Sequence, residues 1–533
     1  MSRGSPAGAA APSREGGAAA PSREGGAAAP SREGGAAAPS RDEFRALARG
    51  CTVVPVWREV VADLGTPVAA FLRLVGEREG FILESVERER WGRWSFVGRN
   101  SPGRIVSRNG RVEATGVCAG VADDQGILHA TQELLSRFRG PELIELPPLH
   151  SGLVGWLGYD AVREIEHLPS APSDDRDLPD GAMAVIGDLA AFDHWRQRVT
   201  LIHNAILEPM ADGESVDQAY DDALVALDSL CADGATPIDE PVLVPPPENL
   251  SPADSSRTIT ADYFQDGVRA AQGLILDGEI FEVVLSQRFD LDLEADPFDV
   301  YRSLRQLNPS PYMYFLRDPE LVLAGSSPET HVRLRAGMVV TRPIAGTRRR
   351  GRDEDHDRRL AGELLESPKE RAEHLMLVDL ARNDLGRIAV PGSVRVEELM
   401  QLERFSHVMH MTSEVSAALE EGLGPVDVLR ATFPAGTVSG APKVRAMELI
   451  DELEATRRGP YGGVVGYMDF SGNMDTAITL RTLVARGDRG WVQAGAGVVA
   501  DSDPADEDLE CSNKAAAVLA AVSAARGMRG ASI

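Results

Sequence analysis

A chain of 533 residues exceeds what one compact core usually organises, and 43% hydrophobic with 26% charged residues is the make-up of an ordinary globular protein. Lys and Arg number 55 against 82 Asp and Glu, a formal charge of −27, which excludes nucleic acid as a partner because phosphate binding needs clustered cations. Apolar runs fall short of the roughly 18 residues a membrane helix needs, no apolar signal segment stands at the N-terminus, and the four cysteines (Cys51, Cys118, Cys231, Cys511) lack metal or disulfide spacing. No membrane association and a reducing cytoplasm are therefore expected.

Residues 1–41 repeat the unit Gly-Gly-Ala-Ala-Ala-Pro-Ser-Arg-Glu, with prolines at 12, 21, 30 and 39. The unit holds no large apolar residue, so it cannot offset its ordering entropy, and a disordered tail is expected. Residues 42–235 alternate β-like runs, such as Phe81-Ile-Leu83, 152–158 and Val199–His203, with helical text over 126–138. Within this portion Gly116-Val-Cys118-Ala-Gly120 is similar to the nucleophile loop of glutamine amidotransferases. The H-x-E pair that chemistry needs occurs nowhere in the chain, so the match is read as chance. Proline-rich residues 236–256 read as a linker.

Over 257–530, amphipathic helices are expected at 260–277, 366–387 and 505–526, with strands at Gly337–Thr341, Gly463–Met468 and Gly490–Gly495. Adjoining strands without strict helix alternation predict an α+β fold, a large mainly antiparallel sheet flanked by helices. Ser367 and Glu370 form a capping-box pattern with Pro368 at the first helical position, which sets Glu370 and Glu373 one turn apart on one face. Glu507 and Glu510 repeat that spacing at the start of the last helix. Either pair alone fits a solvated helix face; both together suit a hard cation such as Mg2+. Two glycine-rich stretches, Pro343-Ile-Ala-Gly346-Thr347-Arg and Gln493-Ala-Gly495-Ala496-Gly497, could turn amides toward an anion or could be turns. Neither matches a nucleotide loop.

Taken in order, the motifs resemble the chorismate-utilising enzyme family over most of residues 255–530, with an N-terminal portion of similar type from about 45. The anchors are Ile280-Phe-Glu-Val-Val-Leu-Ser-Gln-Arg-Phe, Gly325-Ser-Ser-Pro-Glu329, Pro343-Ile-Ala-Gly346-Thr347, Glu373-His-Leu-Met-Leu-Val-Asp, Ser406-His-Val-Met-His410, Gly436-Thr437-Val-Ser-Gly-Ala-Pro-Lys443, Gly459-Pro-Tyr461-Gly-Gly, Gly495-Ala-Gly497 and Glu510-Cys-Ser-Asn-Lys514. Water-using members carry a lysine where this chain has Glu282. Aminodeoxychorismate synthases carry a nucleophilic lysine where it has Ala345. Pro-Ile-Ala-Gly-Thr is similar to the large subunits of the anthranilate synthase branch, although that branch usually has Gln at position 282.

The resemblance implies chorismate and ammonia as substrates, anthranilate and pyruvate as products. It implies Mg2+ held by Glu373 and Glu510 with Glu370 and Glu507, and Glu329 as general acid. His410 would assist removal of the C2 proton, and Thr437 belongs to the catalytic set. Gly346, Thr347, Tyr461, Arg481, Lys514 and the amides of Gly495, Ala496 and Gly497 would bind substrate. Glu84 and Ser85, with Pro311, Tyr312 and Met313, resemble a tryptophan feedback site. A separate glutamine amidotransferase subunit would supply ammonia, in a heterotetramer of two large and two small subunits. The alternatives are an aminodeoxychorismate or aminodeoxyisochorismate synthase component, or a non-catalytic tryptophan-binding sensor.

Overall fold

Side chains on a strand alternate between faces, and along Thr482–Arg486 the alternation serves two cores at once. Leu483 and Ala485 enter one apolar cluster and Val484 another. The computed structural model describes residues 35–61, 63, 65–85, 92–208, 211–239, 244–247, 250–404 and 408–528. It builds two antiparallel sheets with helices around them, as the α+β reading expects.

Among the described residues the first sheet has twelve strands. It runs Val53–Val61, Arg198–Ile206, Asp188–Asp193, Trp94–Arg99, Gly80–Glu84, Tyr312–Arg317, Val322–Ser327, Thr482–Arg486, Arg489–Val498, Glu282–Asp292, Ser256–Arg257, with Gly440–Ala441 also on Glu282–Asp292. The second has eleven, running Ile344–Arg349, Val408–Ala418, Met338–Thr341, Thr330–Arg335, Met474–Ile478, Val464–Met468, Leu153–Leu157, Gly181–Val185, Gly103–Arg108, Arg111–Gly116, with Arg395–Arg404 on Val408–Ala418. Tyr314, Leu323, Val484 and Trp491 of the first sheet meet Val154, Trp156 and Val465 of the second in one buried layer. Leu323 is wholly buried there, so truncating it to Ala would cost about 2–5 kcal/mol. Helices Gly213–Gly234, Pro297–Leu307 and Pro504–Met528 cover the other face of the first sheet.

Both sheets draw on both sides of the expected linker. Gly80–Glu84 pairs with Tyr312–Arg317, and Leu153–Leu157 with Val464–Met468. Residues 42–235 and 257–530 therefore divide the chain but not the core, and Ala37–Ile533 is one compact unit. Of the expected tail, residues 1–34 lie outside the described residues, as do Ser406 and His407 of the anchor that ends at His410. The end of that tail is already packed: Ala38 is buried and exchanges backbone hydrogen bonds of 2.8 and 2.6 Å with Trp57. Ser40 then caps helix Arg41–Ala48 through a full capping box with Glu43.

Candidate active site

The sheets bring the motif strands side by side. Thr347 lies opposite His410 in the ladder between Ile344–Arg349 and Val408–Ala418, and the register slips between Ala345 and Thr347. Gly346 is the extra residue, at φ +74°, which only glycine adopts without strain. A Cβ there would stand 2.8 Å from Glu370 Oε2. The bulge aims Thr347 at His410, whose Nδ1 lies 2.9 Å from the Thr347 hydroxyl. Burial, then the charge of Arg481, holds the His410 imidazole down at about 4, so it is neutral at neutral pH.

Glu329 follows strand Val322–Ser327, and Thr437 Oγ1 donates to its Oε2 at 2.8 Å. Burial raises the Glu329 carboxyl above its ordinary range against the opposing pull of Thr437, Lys514 and Arg481. Arg481 sits in the turn between Met474–Ile478 and Thr482–Arg486 at φ +47°, a left-handed conformation that a non-glycine residue keeps only where its surroundings impose it. Its charge is felt by both Glu329 and His410.

Strand Arg489–Val498 pairs with Glu282–Asp292 up to Val498, but with Thr482–Arg486 only up to Val492. The backbone from Gln493 to Val498 thus has one edge free of strand pairing, and alternate amides face it. Lys514 Nζ donates to the Gly495 carbonyl at 2.8 Å. The glycines serve neighbouring side chains too. A Cβ on Gly495 would lie 2.6 Å from the Tyr461 hydroxyl, and one on Gly497 2.5 Å from Glu282 Oε1.

The two carboxylate pairs come from helices Pro368–Gly386 and Pro504–Met528. The expected capping box forms only by half. Ser367 accepts from the Glu370 amide, but the Glu370 carboxylate turns to Arg348, 2.8 Å away, instead of back to the cap. Glu510 is likewise paired with Lys514 at 2.7 Å. Burial raises the carboxyls of Glu373 and Glu507, and the charge of Glu510 adds to both. Glu282 is 6% exposed. Burial, then the charges of Glu373 and Glu507 against that of Lys514, push it up to about 8. Lys369, Lys514 and Arg348 are three cations against the five glutamates Glu282, Glu370, Glu373, Glu507 and Glu510, an imbalance that suits a divalent cation. Among the described residues no three His, Cys, Asp or Glu side chains are close enough to enclose a metal by themselves.

Sequence reasoning missed Arg348 and the support beneath Tyr461. The wholly buried Arg458 pairs with Glu454 at 2.6 Å, donates to the carbonyls of Val438 and Val284, and lies 5.6 Å from the Tyr461 ring centre. Glu454 in turn accepts from the amide and hydroxyl of Ser286. No local signal gives this pair, because Glu454 lies just beyond helix Lys443–Leu453 and Arg458 in the loop that follows. Cys118 is buried and its thiol is pushed up to about 12 by that burial, an inert setting consistent with a chance motif.

A separate cavity of 1040 Å³ is lined by Glu84, Ser85, Pro311, Tyr312 and Met313 together, all five expected feedback residues. Met313 lies opposite Glu84 in the ladder. The Glu84 carboxylate is committed to Arg305, at 2.7 and 3.0 Å, and to the Tyr301 hydroxyl. Tyr312 is held by Asp475 at 2.9 Å. Among the described residues the buried Ser85 hydroxyl has no hydrogen-bond partner. Thr330 and Arg342 line both this cavity and the small one beside Glu329 and Thr437.

Residues 81–520 match the family model described as chorismate binding enzyme. The chain belongs to that family. It is 48% identical over 504 residues to anthranilate synthase component 1 of Mycobacterium tuberculosis, covering 91% of this chain and 95% of that protein. The crystal structure of anthranilate synthase component I from Streptococcus pneumoniae superposes with a TM-score of 0.70 at 35% identity, covering 86% of this chain and 99% of that one. The menaquinone-specific isochorismate synthase of Escherichia coli, at 20% identity and a TM-score of 0.65 with 90% of this chain and 98% of that one covered, shares the fold. Among the described residues no helix is long and apolar enough to cross a membrane.

Proposed function

We propose that this chain is the chorismate-aminating subunit of an anthranilate synthase, converting chorismate and ammonia to anthranilate, pyruvate and water. The observation that carries the reading is the pocket in which Glu329, fixed by Thr437, shares its surroundings with Arg481, His410 and Lys514. Ala345, buried beside the bulge, offers no nucleophile. That favours amination by free ammonia over attack by an enzyme amine. The 48% identity to anthranilate synthase component 1 supports the same choice.

Chorismate is a dianion. Arg481, Lys514, Tyr461 and the amides of Gly495, Ala496 and Gly497 would bind its carboxylates, with Gly346 and Thr347 lining the same pocket. Arginine suits this because its fork pairs with a carboxylate bidentately. The C4 hydroxyl is a poor leaving group, and Glu329, kept protonated more readily by burial, would give it a proton. Ammonia adds at C2 as water leaves from C4. His410, neutral and hydrogen-bonded to Thr347, then assists loss of the C2 proton as pyruvate departs. Mg2+, when bound, would neutralise the ring carboxylate and stabilise the charge of the departing hydroxyl. Glu373 and Glu510 would hold it, with Glu370 and Glu507 completing its surroundings directly or through water.

The 1040 Å³ cavity is ample for tryptophan, and the unpartnered Ser85 hydroxyl is a group it could satisfy. Feedback inhibition by tryptophan is therefore part of the proposal. So are ammonia supply by a glutamine amidotransferase subunit, a heterotetramer of two copies of each, and a cytoplasmic setting. Incubation with chorismate, Mg2+ and an ammonium salt is expected to yield fluorescent anthranilate. Accumulation of aminodeoxyisochorismate or 4-amino-4-deoxychorismate would reject the reading in favour of a sister synthase, and tryptophan binding without turnover in favour of a sensor.

A further inference from the structure

Strand Glu282–Asp292 meets Arg489–Val498 along one edge. On its other edge, among the described residues, Gly440–Ala441 pairs with Glu282 and Val283, and Ser256–Arg257 with Phe289 and Asp290. The stretch between them has no strand beside it. Buried backbone groups must still find partners, and two side chains take the missing strand's place. The Glu454 carboxylate accepts from the Ser286 amide at 2.8 Å, and Arg458 Nη2 donates to the Val284 carbonyl at 2.7 Å.

Closing an edge needs no more than that, yet the Arg458 guanidinium reaches further. Its Nη1 donates at 2.6 Å to the carbonyl of Val438, the residue after Thr437 in the short helical turn Gly436–Val438. That turn has no side-chain cap, and Thr437 is the residue that holds Glu329 Oε2. The guanidinium also lies 5.6 Å from the Tyr461 ring centre and 4.5 Å from that of Tyr159. The Tyr159 amide in turn donates at 2.8 Å to the carbonyl of Gly459, where the Tyr461 turn begins. Glu454 holds the fork itself, accepting from Nε at 2.9 Å and from Nη2 at 2.6 Å. Only 2% exposed, Arg458 can act on a substrate only through the groups it holds.

We propose that Arg458 is a positioning residue for catalysis: it ties the Thr437 turn and the Tyr461 ring to one strand, and so sets where Glu329 stands relative to bound substrate. A guanidinium suits the task because its planar fork fixes directions to several acceptors at once, which a single ammonium does not. The inference rests on the amination reading above, in which Glu329 gives the proton and Tyr461 binds a carboxylate. It adds the residue that keeps those two in register.

Arg458→Met alone strands the Glu454 carboxylate, so the test uses the full chain carrying either Arg458→Lys or the neutral pair Arg458→Met with Glu454→Gln. Each is made with and without Thr437→Val. Turnover of chorismate with ammonium chloride and Mg2+ is measured well below each variant's melting temperature. The kcat is expected to fall about tenfold or more in both, because a misplacement of about 1 Å costs up to about 10²-fold. The KM for chorismate should rise several-fold through Tyr461. Thr437→Val, which should cost wild type roughly tenfold, should cost these variants no more than about twofold, since their Glu329 carboxyl is already loose. A merely structural plug would lower the melting temperature yet leave kcat per folded molecule unchanged, which overturns the proposal. A kcat loss to which Thr437→Val adds its whole factor overturns it too, because Arg458 would then act by another route. So does a wild type indifferent to Thr437→Val. Wild type that forms no anthranilate from ammonium refutes the amination reading itself.

Discussion

Thr437 donates its hydroxyl to Glu329 Oε2 at 2.8 Å, which ties down one carboxyl oxygen and leaves Oε1 as the one to carry a transferable proton. If Glu329 is the general acid, Glu329→Gln should lower kcat by about 10²–10⁴-fold with little change in the KM for chorismate. Thr437→Val, which only frees the carboxyl to rotate, should cost roughly tenfold. Anthranilate fluorescence reads both; a Gln variant at wild-type rate removes Glu329 from that role.

Glu370 and Glu510 each hold an internal cation where the metal is proposed to bind, Arg348 at 2.8 Å and Lys514 at 2.7 Å. Removing a competing cation should favour the metal. Arg348→Ala is expected to lower the Mg2+ concentration for half-saturation, by no more than about fivefold because the pair is partly exposed to solvent. Glu373→Gln should raise it, by about tenfold or more. Direct Mg2+ titration by calorimetry separates binding from turnover.

Ser85 presents its unpartnered hydroxyl in the wall of the large cavity. Ser85→Phe should weaken tryptophan inhibition by roughly tenfold or more through loss of that group and of space, while turnover without tryptophan stays within about twofold. Inhibition curves at fixed chorismate decide it, and unchanged inhibition would move the feedback site elsewhere.

Arg458 and Glu454 are a buried pair. Arg458→Met strands the Glu454 carboxylate and should cost about 3–5 kcal/mol in urea unfolding. Adding Glu454→Gln should restore part of the loss, since the penalty lies in the orphaned charge. Additive losses would mean that the two residues act separately.

Burial holds the His331 imidazole at about 3, against 6.5 for an ordinary histidine. Folded protein thus keeps it neutral where unfolded protein takes up a proton. The stability it contributes is complete above about pH 6.5 and is lost as pH falls from there toward 3, at up to about 1.4 kcal/mol per pH unit. His374 and His410, both held near 4 by burial, slope the same way. Between about pH 7 and 5 the urea midpoint of His331→Gln, which can still meet Thr432 and Thr476, should lose less, or gain more, than that of the wild type, because the variant lacks the histidine's share of the slope.

Local order was readable wherever it is set by near neighbours. The helix over 366–387 follows from Ser367, Pro368 and the apolar period, and appears at Pro368–Gly386; strand text at Val199–His203 appears within Arg198–Ile206. The one-turn spacing of Glu370 and Glu373 follows from the same local rule. The partners of those glutamates do not, because Arg348 reaches Glu370 from a strand whose approach depends on the bulge at Gly346.

Residue type, spacing and period are properties of the chain itself and were enough for the antiparallel α+β class, while the candidate residues of both sites came from the family resemblance that the order of the motifs carries. Tertiary structure decided what each of them faces. Only strand pairing across hundreds of residues makes Ala37–Ile533 a single unit and sets Ser85 and Met313 around one cavity. Only burial by distant segments lifts Glu282 and Glu329 out of the ordinary carboxylate range. Desolvation and long-range charge depend on the surroundings a residue acquires on folding, and no local pattern encodes them.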